Sequence, residues 1–258
     1  MNKTRKKIIF ISGMIVFPAI INYVILKKNA AKNENYQKGK YYSFRYGRIH
    51  YKAKGEGKPL LLIHGVGLGA GMHEWEKNIS MLSKNFKVYA IDLLGFGHSD
   101  KPNITYSPYM YVNLITEFVK NVIGESVCVA ATTNSAPYTV FASLFEPEFF
   151  EKMILINPAG TEDCMPTEKD SFLRRILETP LLGTSLFHLL TSKMFCRMFL
   201  ENSTYKNSVS NDIVNQYYEA AHFGGVNAKY SAAAFVSKFL NTNIKHKISS
   251  IKIPTLVL

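Results

Sequence analysis

Residues 60–67, LLLIHGVG, and residues 88–100, VYAIDLLGFGHSD, decide the fold of this chain. Each segment is an apolar run that ends abruptly in a polar turn punctuated by glycine. Fully buried parallel strands are continuous apolar runs of this kind. Ligand sites of open α/β sheets form at the carboxyl edge, where such strands end. The two turns therefore predict the position of a functional site.

Strand and helix patterns alternate around these two segments. Residues 41–53 predict a hairpin of two strands, because aromatic and polar residues alternate on either side of a turn. Residues 127–131 and 152–157 are apolar runs typical of strands, whereas 109–123 and 135–145 have helical spacing. This order predicts right-handed crossovers and a mostly parallel sheet with helices on both faces.

The alternation stops after the fourth apolar strand pattern. Residues 163–245 contain helical patterns, and a strand pattern returns only over the last few residues. An insertion between two neighbouring strands at the ligand edge of a sheet forms a lid over that edge. We therefore predict an anchor and linker over 1–40, a core formed by 41–162 and 246–258, and a helical lid over 163–245.

The net charge of +12 is concentrated at the amino terminus. Residues 1–40 hold nine Lys and Arg against one Glu, and no basic recognition motif follows them. We therefore expect no nucleic-acid partner. The three cysteines, Cys128, Cys164 and Cys196, are far apart and have no metal-ligand spacing. We expect no metal and no cofactor, since no phosphate-binding glycine loop opens a helix.

An uncharged stretch runs from Ile8 to Leu26, with basic residues on both sides. As a helix it would span roughly 29 Å, which is enough to cross a bilayer core. We predict a single-pass membrane anchor, with a cleaved signal peptide and a buried core helix as alternatives. The slightly more basic amino-terminal flank favours a main domain outside the cytoplasm.

Three landmarks over residues 41–258 resemble the α/β-hydrolase family. They are the His64-Gly65 turn, the loop over residues 92–100 (DLLGFGHSD) and the strand end over 155–158 (LINP). The helical insertion is similar to the caps of epoxide hydrolases, haloalkane dehalogenases and lipase-like esterases. The resemblance implies an oxyanion hole formed by the backbone N–H groups of Val66 and of the residue after the nucleophile.

The resemblance places the nucleophile on a sharp turn in the frame Gly-x-Ser-x-Gly. Here that segment is residues 129–137, VAATTNSAP. Counting back from the end of the next helix places Thr133 at the elbow, which makes Asn134 the second oxyanion donor. Ser135 is the alternative, and the third possibility is that neither residue is the nucleophile. A β-branched threonine suits the strained turn badly.

The family resemblance also implies an acid and a histidine after the last strand, and the sequence ends at Leu258 before either. The chain is therefore expected to be truncated. The resemblance implies that His64 is a structural turn residue. We expect hydrolysis of an ester or similar bond in a small apolar substrate if a longer chain supplies the acid and histidine. The alternative is a non-catalytic relative that binds an apolar ligand or a partner through the lid.

Overall fold

A computed structural model describes residues 18–29, 39–161, 166–203 and 209–258. The strands of the described residues are β1 (Lys40–Phe44), β2 (Gly47–Lys54), β3 (Lys58–Ile63), β4 (Phe86–Ile91), β5 (Val127–Thr132), β6 (Phe150–Ile156) and β7 (Thr255–Val257). The α-helices are α1 (18–29), α2 (Glu76–Leu82), α3 (Pro108–Phe118), α4 (Ser135–Phe145), α5 (Glu168–Glu178), α6 (Leu182–Leu190), α7 (Lys193–Ser203), α8 (Asn211–His222) and α9 (Ala228–Val236).

The strands form one sheet in the order β1-β2-β4-β3-β5-β6-β7. The first two strands pair as an antiparallel hairpin, as the alternating pattern predicts, and β2 is antiparallel to β4. All pairs from β4 to β7 are parallel. The prediction of a mostly parallel sheet is confirmed. The carboxyl ends of β3 and β5 are adjacent, so the turns that follow them meet at one edge.

Apolar cores cover both faces of the sheet because the central strands are buried on both sides. In β3, Leu61 and Ile63 point into the larger core, which includes α3 and α4. Leu60 and Leu62 point into a smaller core with Trp75 and Ile79. Successive residues of β3 face opposite cores, and both cores are apolar. The strand is therefore a continuous apolar run in the sequence. The prediction of helices on both faces is confirmed.

Between β6 and β7, the described residues form five α-helices, α5 to α9. The first begins at a capping box, in which Thr167 accepts from the Asp170 N–H and the Asp170 carboxylate accepts from the Thr167 N–H. The last, α9, leads back into the larger core, where Ala234 and Leu240 are buried. β7 then pairs with β6, so the helical segment is an insertion at the sheet edge. The predicted lid range contains all five helices.

The prediction of a single-pass membrane anchor is wrong. Among the residues that the structure describes, no helix is long and apolar enough to span a bilayer. The described part of the predicted span belongs to α1, whose buried Asn22 donates to Ser185 Oγ at 3.1 Å. At the end of α1, Asn29 donates to the Tyr218 hydroxyl at 3.3 Å. The first ten residues of the span, 8–17, lie outside the described residues, as do residues 30–38 of the predicted linker and Cys164.

Candidate active site

The turn between β5 and α4 is a strained elbow centred on Thr133. Its φ is +46°, in the left-handed region that β-branched residues rarely adopt. Neighbouring backbone holds this conformation, because the Thr133 N–H donates to Ile156 O at 3.0 Å and its carbonyl accepts from Ala136 and Ala159, each at 3.2 Å. Such strain persists only where the surroundings determine it, and it concentrates at functional sites.

The Thr133 side chain is half-buried and faces the turn after β3. A methyl group added to Gly65 would lie only 2.5 Å from Thr133 Oγ1, so glycine is required for the two turns to approach. Within the described part of the chain, the Thr133 hydroxyl has no hydrogen-bond partner. The hydroxyl is therefore available to a ligand.

Ser135, the alternative nucleophile, lies in a different environment. It is the first residue of α4 and is fully buried. Its hydroxyl donates to Thr132 O at 2.8 Å, which occupies its proton. At this position the side chain contacts the backbone below the elbow and does not face the open side of the turn.

The two predicted oxyanion donors belong to the turn after β3 and to the Thr133 elbow. Val66 follows Gly65, and Asn134 follows Thr133 in the elbow. Among the described residues, neither backbone N–H donates a hydrogen bond to a protein acceptor. Unengaged backbone N–H groups are the kind of donor that can stabilise a developing oxyanion.

His64 fixes the shape of the turn after β3. The Leu93 N–H donates to its Nε2 at 2.9 Å, so Nε2 is the unprotonated nitrogen. Its Nδ1–H donates to Gly65 O at 2.6 Å. Both ring nitrogens are therefore occupied by backbone groups. This geometry is that of a structural turn residue, and it leaves the ring no lone pair for a base.

Glu74 is a site residue that the sequence analysis missed. Its Oε2 accepts from the Gly65 N–H at 3.0 Å, and its Oε1 accepts from the hydroxyl of Tyr217 on the lid helix α8 at 3.1 Å. The neighbouring His73 packs edge-on against the same tyrosine, with ring centroids 4.7 Å apart. Burial raises the pKa of Glu74 above its ordinary value, against the lowering effect of His64 and of both hydrogen bonds. The Glu74 side chain connects the lid to the turn after β3.

The loop after β4 is organised by Asp92, which is buried. Its carboxylate accepts from His50 Nδ1 at 2.7 Å and from the backbone N–H groups of Met72 and His98 at 2.6 and 2.9 Å. Burial opposes ionisation of Asp92, but the hydrogen bond from His50 and the other donors outweigh it and hold its pKa well below the usual range.

Asp92, His50 and His98 present ligand atoms within 4.8 Å of one another, which is a spacing that could hold a metal ion. The donors just described already account for both carboxylate oxygens. We therefore assign this cluster to the structure of the loop. These hydrogen bonds hold the glycine-rich segment after β4 in its conformation next to the turn after β3.

Comparison with known proteins gives the same architecture. A family model described as alpha/beta hydrolase fold matches residues 58–258. The chain is 29% identical over 143 residues to a 2-hydroxy-6-oxo-6-(2'-aminophenyl)hexa-2,4-dienoic acid hydrolase of Metapseudomonas resinovorans, covering 54% of this chain and 48% of that protein. It is 30% identical over 165 residues to an (E)-2-((N-methylformamido)methylene)succinate hydrolase of Acinetobacter baylyi, covering 59% and 61%.

Among solved structures, a meta-cleavage product hydrolase from Pseudomonas fluorescens IP01, a mutant complexed with acetates, has a TM-score of 0.65 and 25% identity. That match covers 85% of this chain and 78% of the other. The matched part covers 48% of the first curated relative, about half of its length, and 78% of the solved structure.

Proposed function

The chain belongs to the α/β-hydrolase fold family, and on that premise we propose that it is a hydrolase that cleaves a bond next to a carbonyl group, with Thr133 as the attacking residue. In the proposed reaction, Thr133 Oγ1 adds to the carbonyl carbon. The Val66 and Asn134 N–H groups stabilise the oxyanion. The bond to the leaving group then breaks, and water releases the acyl group from Thr133.

One observation supports this proposal: at φ +46°, Thr133 carries a hydroxyl with no hydrogen-bond partner among the described residues, and the N–H groups of Val66 and Asn134 have no acceptor there either. Strain of this kind is maintained by three backbone hydrogen bonds, including two to the carbonyl of Thr133 itself. A turn that only joined a strand to a helix would need none of these features. The Val66 and Asn134 N–H groups belong to the backbone. They are therefore present whether serine, as in the family frame, or threonine stands at position 133.

The substrate class is broader than the ester that the sequence analysis favoured. The curated relatives are named as hydrolases of a dienoic acid and of an N-methylformamido succinate, and neither name specifies an ester. We therefore include carbon–carbon and amide bonds next to a carbonyl.

A threonine hydroxyl needs a base to act as a nucleophile at neutral pH. His64 has no free nitrogen for this purpose. The proposed reaction therefore requires a base and an orienting acid in addition to the residues of the elbow. The protein for the test is accordingly the natural gene product, with its mass measured first.

The test measures hydrolysis of a nitrophenyl ester, a nitroanilide amide and a meta-cleavage dienoic acid. We expect turnover of at least one, and a loss of at least about hundredfold in Thr133→Ala. Ser143→Ala, on the helix α4 that follows Thr133 and with its hydroxyl bonded to Val140 O, is the matched control and should retain activity. If Ser135→Ala abolishes turnover and Thr133→Ala does not, the elbow assignment is wrong.

A non-catalytic binding role is the second candidate, and the side chain of Thr133 favours it. At positive φ, a β-branched residue such as threonine has more conformational strain than serine would have. Absence of turnover with all three substrates, both in the natural protein and in Thr133→Ser, would support binding without chemistry.

A further inference from the structure

The backbone at Gly65 is held by a side chain on each side. The His64 Nδ1–H donates to Gly65 O at 2.6 Å, and Glu74 Oε2 accepts from the Gly65 N–H at 3.0 Å. A peptide unit is planar and trans, so its N–H points opposite to its C=O. The bond to Gly65 O therefore sets the direction of the Val66 N–H, and the bond to Glu74 fixes the preceding peptide. Because glycine itself restricts the backbone least, the shape of the turn depends on these two bonds.

The lid helix α8 contacts the same turn through Tyr217. The Tyr217 hydroxyl donates to Glu74 Oε1 at 3.1 Å, and its ring packs edge-on against His73. Its main chain is equally close, since a methyl group added to Gly69, at φ +76°, would collide with Tyr217 O. The hydroxyl, ring and backbone of one lid residue thus rest on the turn after β3 and on the short 3₁₀-helix Met72–Trp75 that follows it.

Tyr217 also belongs to the packing inside the lid. It lies against a buried cluster formed by Cys196 and Leu200 of α7 and Val214 of α8. Burial raises the pKa of the Tyr217 hydroxyl above its ordinary value, so the hydroxyl stays protonated and can donate. A displacement of α7 and α8 must therefore carry the tyrosine away from Glu74 and break the bond between them.

Loss of the Tyr217 bond would change the behaviour of Glu74. Burial raises the pKa of Glu74, whereas the hydrogen bonds from the Gly65 N–H and the Tyr217 hydroxyl lower it. A carboxylate that loses one of two donors in a poorly solvated position gains free energy by turning toward water or by taking up a proton. Either change weakens its bond to the Gly65 N–H.

We propose that Tyr217 is a positioning residue: through Glu74 it holds the turn after β3 in the shape that presents the Val66 N–H to the oxyanion, so this donor is in place only while α8 is docked. The inference rests on the proposed function in one respect, that Val66 supplies an oxyanion donor. It adds regulation of that site by the position of the lid. In this role Tyr217 acts through Glu74 and does not contact the substrate.

Steady-state kinetics of the natural protein, with the substrate that it hydrolyses, test the inference first. Tyr217→Phe removes only the hydroxyl and keeps the ring packed against His73. An oxyanion donor acts in the transition state, so we expect kcat to fall about tenfold while KM changes by less than about twofold. Tyr218→Phe is the matched control, because the same change at the next residue removes a bond to Asn29 instead. It should leave kcat unchanged.

Two substitutions of Glu74 separate positioning from a loss of structure. Glu74→Gln keeps an oxygen for the Gly65 N–H and gains an amide group that can donate to the Tyr217 oxygen, so kcat should stay within about threefold. Glu74→Ala removes both bonds, and kcat should fall about hundredfold, as on loss of an oxyanion donor. Thermal unfolding of each variant verifies the fold. A purely structural role would lower the melting temperature and leave kcat unchanged.

The amide signals of Gly65 and Val66 report on the turn without any turnover. In ¹⁵N-labelled natural protein, both signals should move in Tyr217→Phe and stay in place in Tyr218→Phe. Exchange of the Gly65 amide proton with solvent should also become at least about fivefold faster in Tyr217→Phe, because its acceptor is less firmly held.

Turnover and amide signals separate this inference from the proposed function. If Thr133-dependent turnover is found and Tyr217→Phe keeps its kcat, the hydrolase proposal stands and the inference fails. A rise in KM alone would make Tyr217 a substrate contact and would also overturn the inference. If no substrate is hydrolysed, the hydrolase proposal fails and the amide signals decide. Movement in Tyr217→Phe alone then supports the coupling of α8 to the turn, and unchanged signals refute it.

Discussion

Two carboxylates lie beneath the same edge of the sheet, and their environments are opposite. Asp92 is buried and accepts from His50 and from two backbone N–H groups, so its pKa is held low. Glu74 is half-buried, accepts one bond on each oxygen, and has a raised pKa. Asp92 accepts three hydrogen bonds and shapes a loop. Glu74 accepts two and connects the lid helix α8 to the turn after β3.

The largest effect is expected at Asp92. Asp92→Ala would remove the acceptor of His50 Nδ1 and of the backbone N–H groups of Met72 and His98, and we expect a loss of about 3–5 kcal/mol in the free energy of unfolding. Urea unfolding measures this loss. Glu76→Gln, which removes an exposed ion pair, should change stability by less than about 1 kcal/mol. Equal losses in the two variants would contradict the comparison.

Gly65→Ala should have the next largest effect. The added methyl lies 2.5 Å from Thr133 Oγ1, so the hydroxyl or the turn must move. We expect a loss of about 1–3 kcal/mol in stability and at least about tenfold in turnover. Gly67→Ala, in the same turn, meets its nearest heavy atom at 3.9 Å and is the control. If both variants lose the same stability and turnover, the close approach of Gly65 to the Thr133 elbow is not the cause of the loss.

Thr133→Ser should produce a smaller change of opposite sign. Removing the branch at φ +46° relieves part of the backbone strain, and we expect a gain of up to about 1 kcal/mol in stability. The hydroxyl is retained, so turnover should be equal or higher. A thermal melt and the hydrolysis assay measure the two quantities. A clear loss of stability would show that the threonine methyl packs favourably at the elbow.

The smallest effect is a difference in pH dependence. Glu74 has a raised pKa in the folded state, so its charged form destabilises the fold above the ordinary value of 4.5, and this penalty disappears as the pH falls. Asp92 has a lowered pKa, so its contribution is present above 3.8 and is lost at lower pH. Glu74→Gln should therefore change stability more at pH 7 than at pH 4. A constant difference across that range would contradict the raised pKa.

The sequence predicts the frame of the site because strands and turns have local signatures. The predicted helix over 135–145 coincides with α4, and the predicted strand over 127–131 is one residue shorter than β5. The position of Thr133 follows from counting between these elements. The structure places it on the strained backbone that an elbow requires, and its catalytic role stays a proposal.

Glu74 could not be found in the sequence because its partners are distant. It follows a histidine in a short helical pattern, where a glutamate usually faces solvent, and its lid partner Tyr217 is 143 residues away. No local signal distinguishes it from Glu76, which is exposed. The membrane prediction failed for a related reason: an apolar stretch gives no information on what covers it. In the structure, α1 has two buried asparagines that bond to the lid.

The docking of α1 also makes the amino-terminal helix a reporter of the lid. Its long-range hydrogen bonds reach α6 through Ser185 and α8 through Tyr218. Any displacement of these two lid helices must either carry α1 with it or break both contacts. A spin label at the exposed Tyr23, paired with one at Met81 on the core helix α2, would therefore convert lid movement into a distance that pulsed resonance can follow.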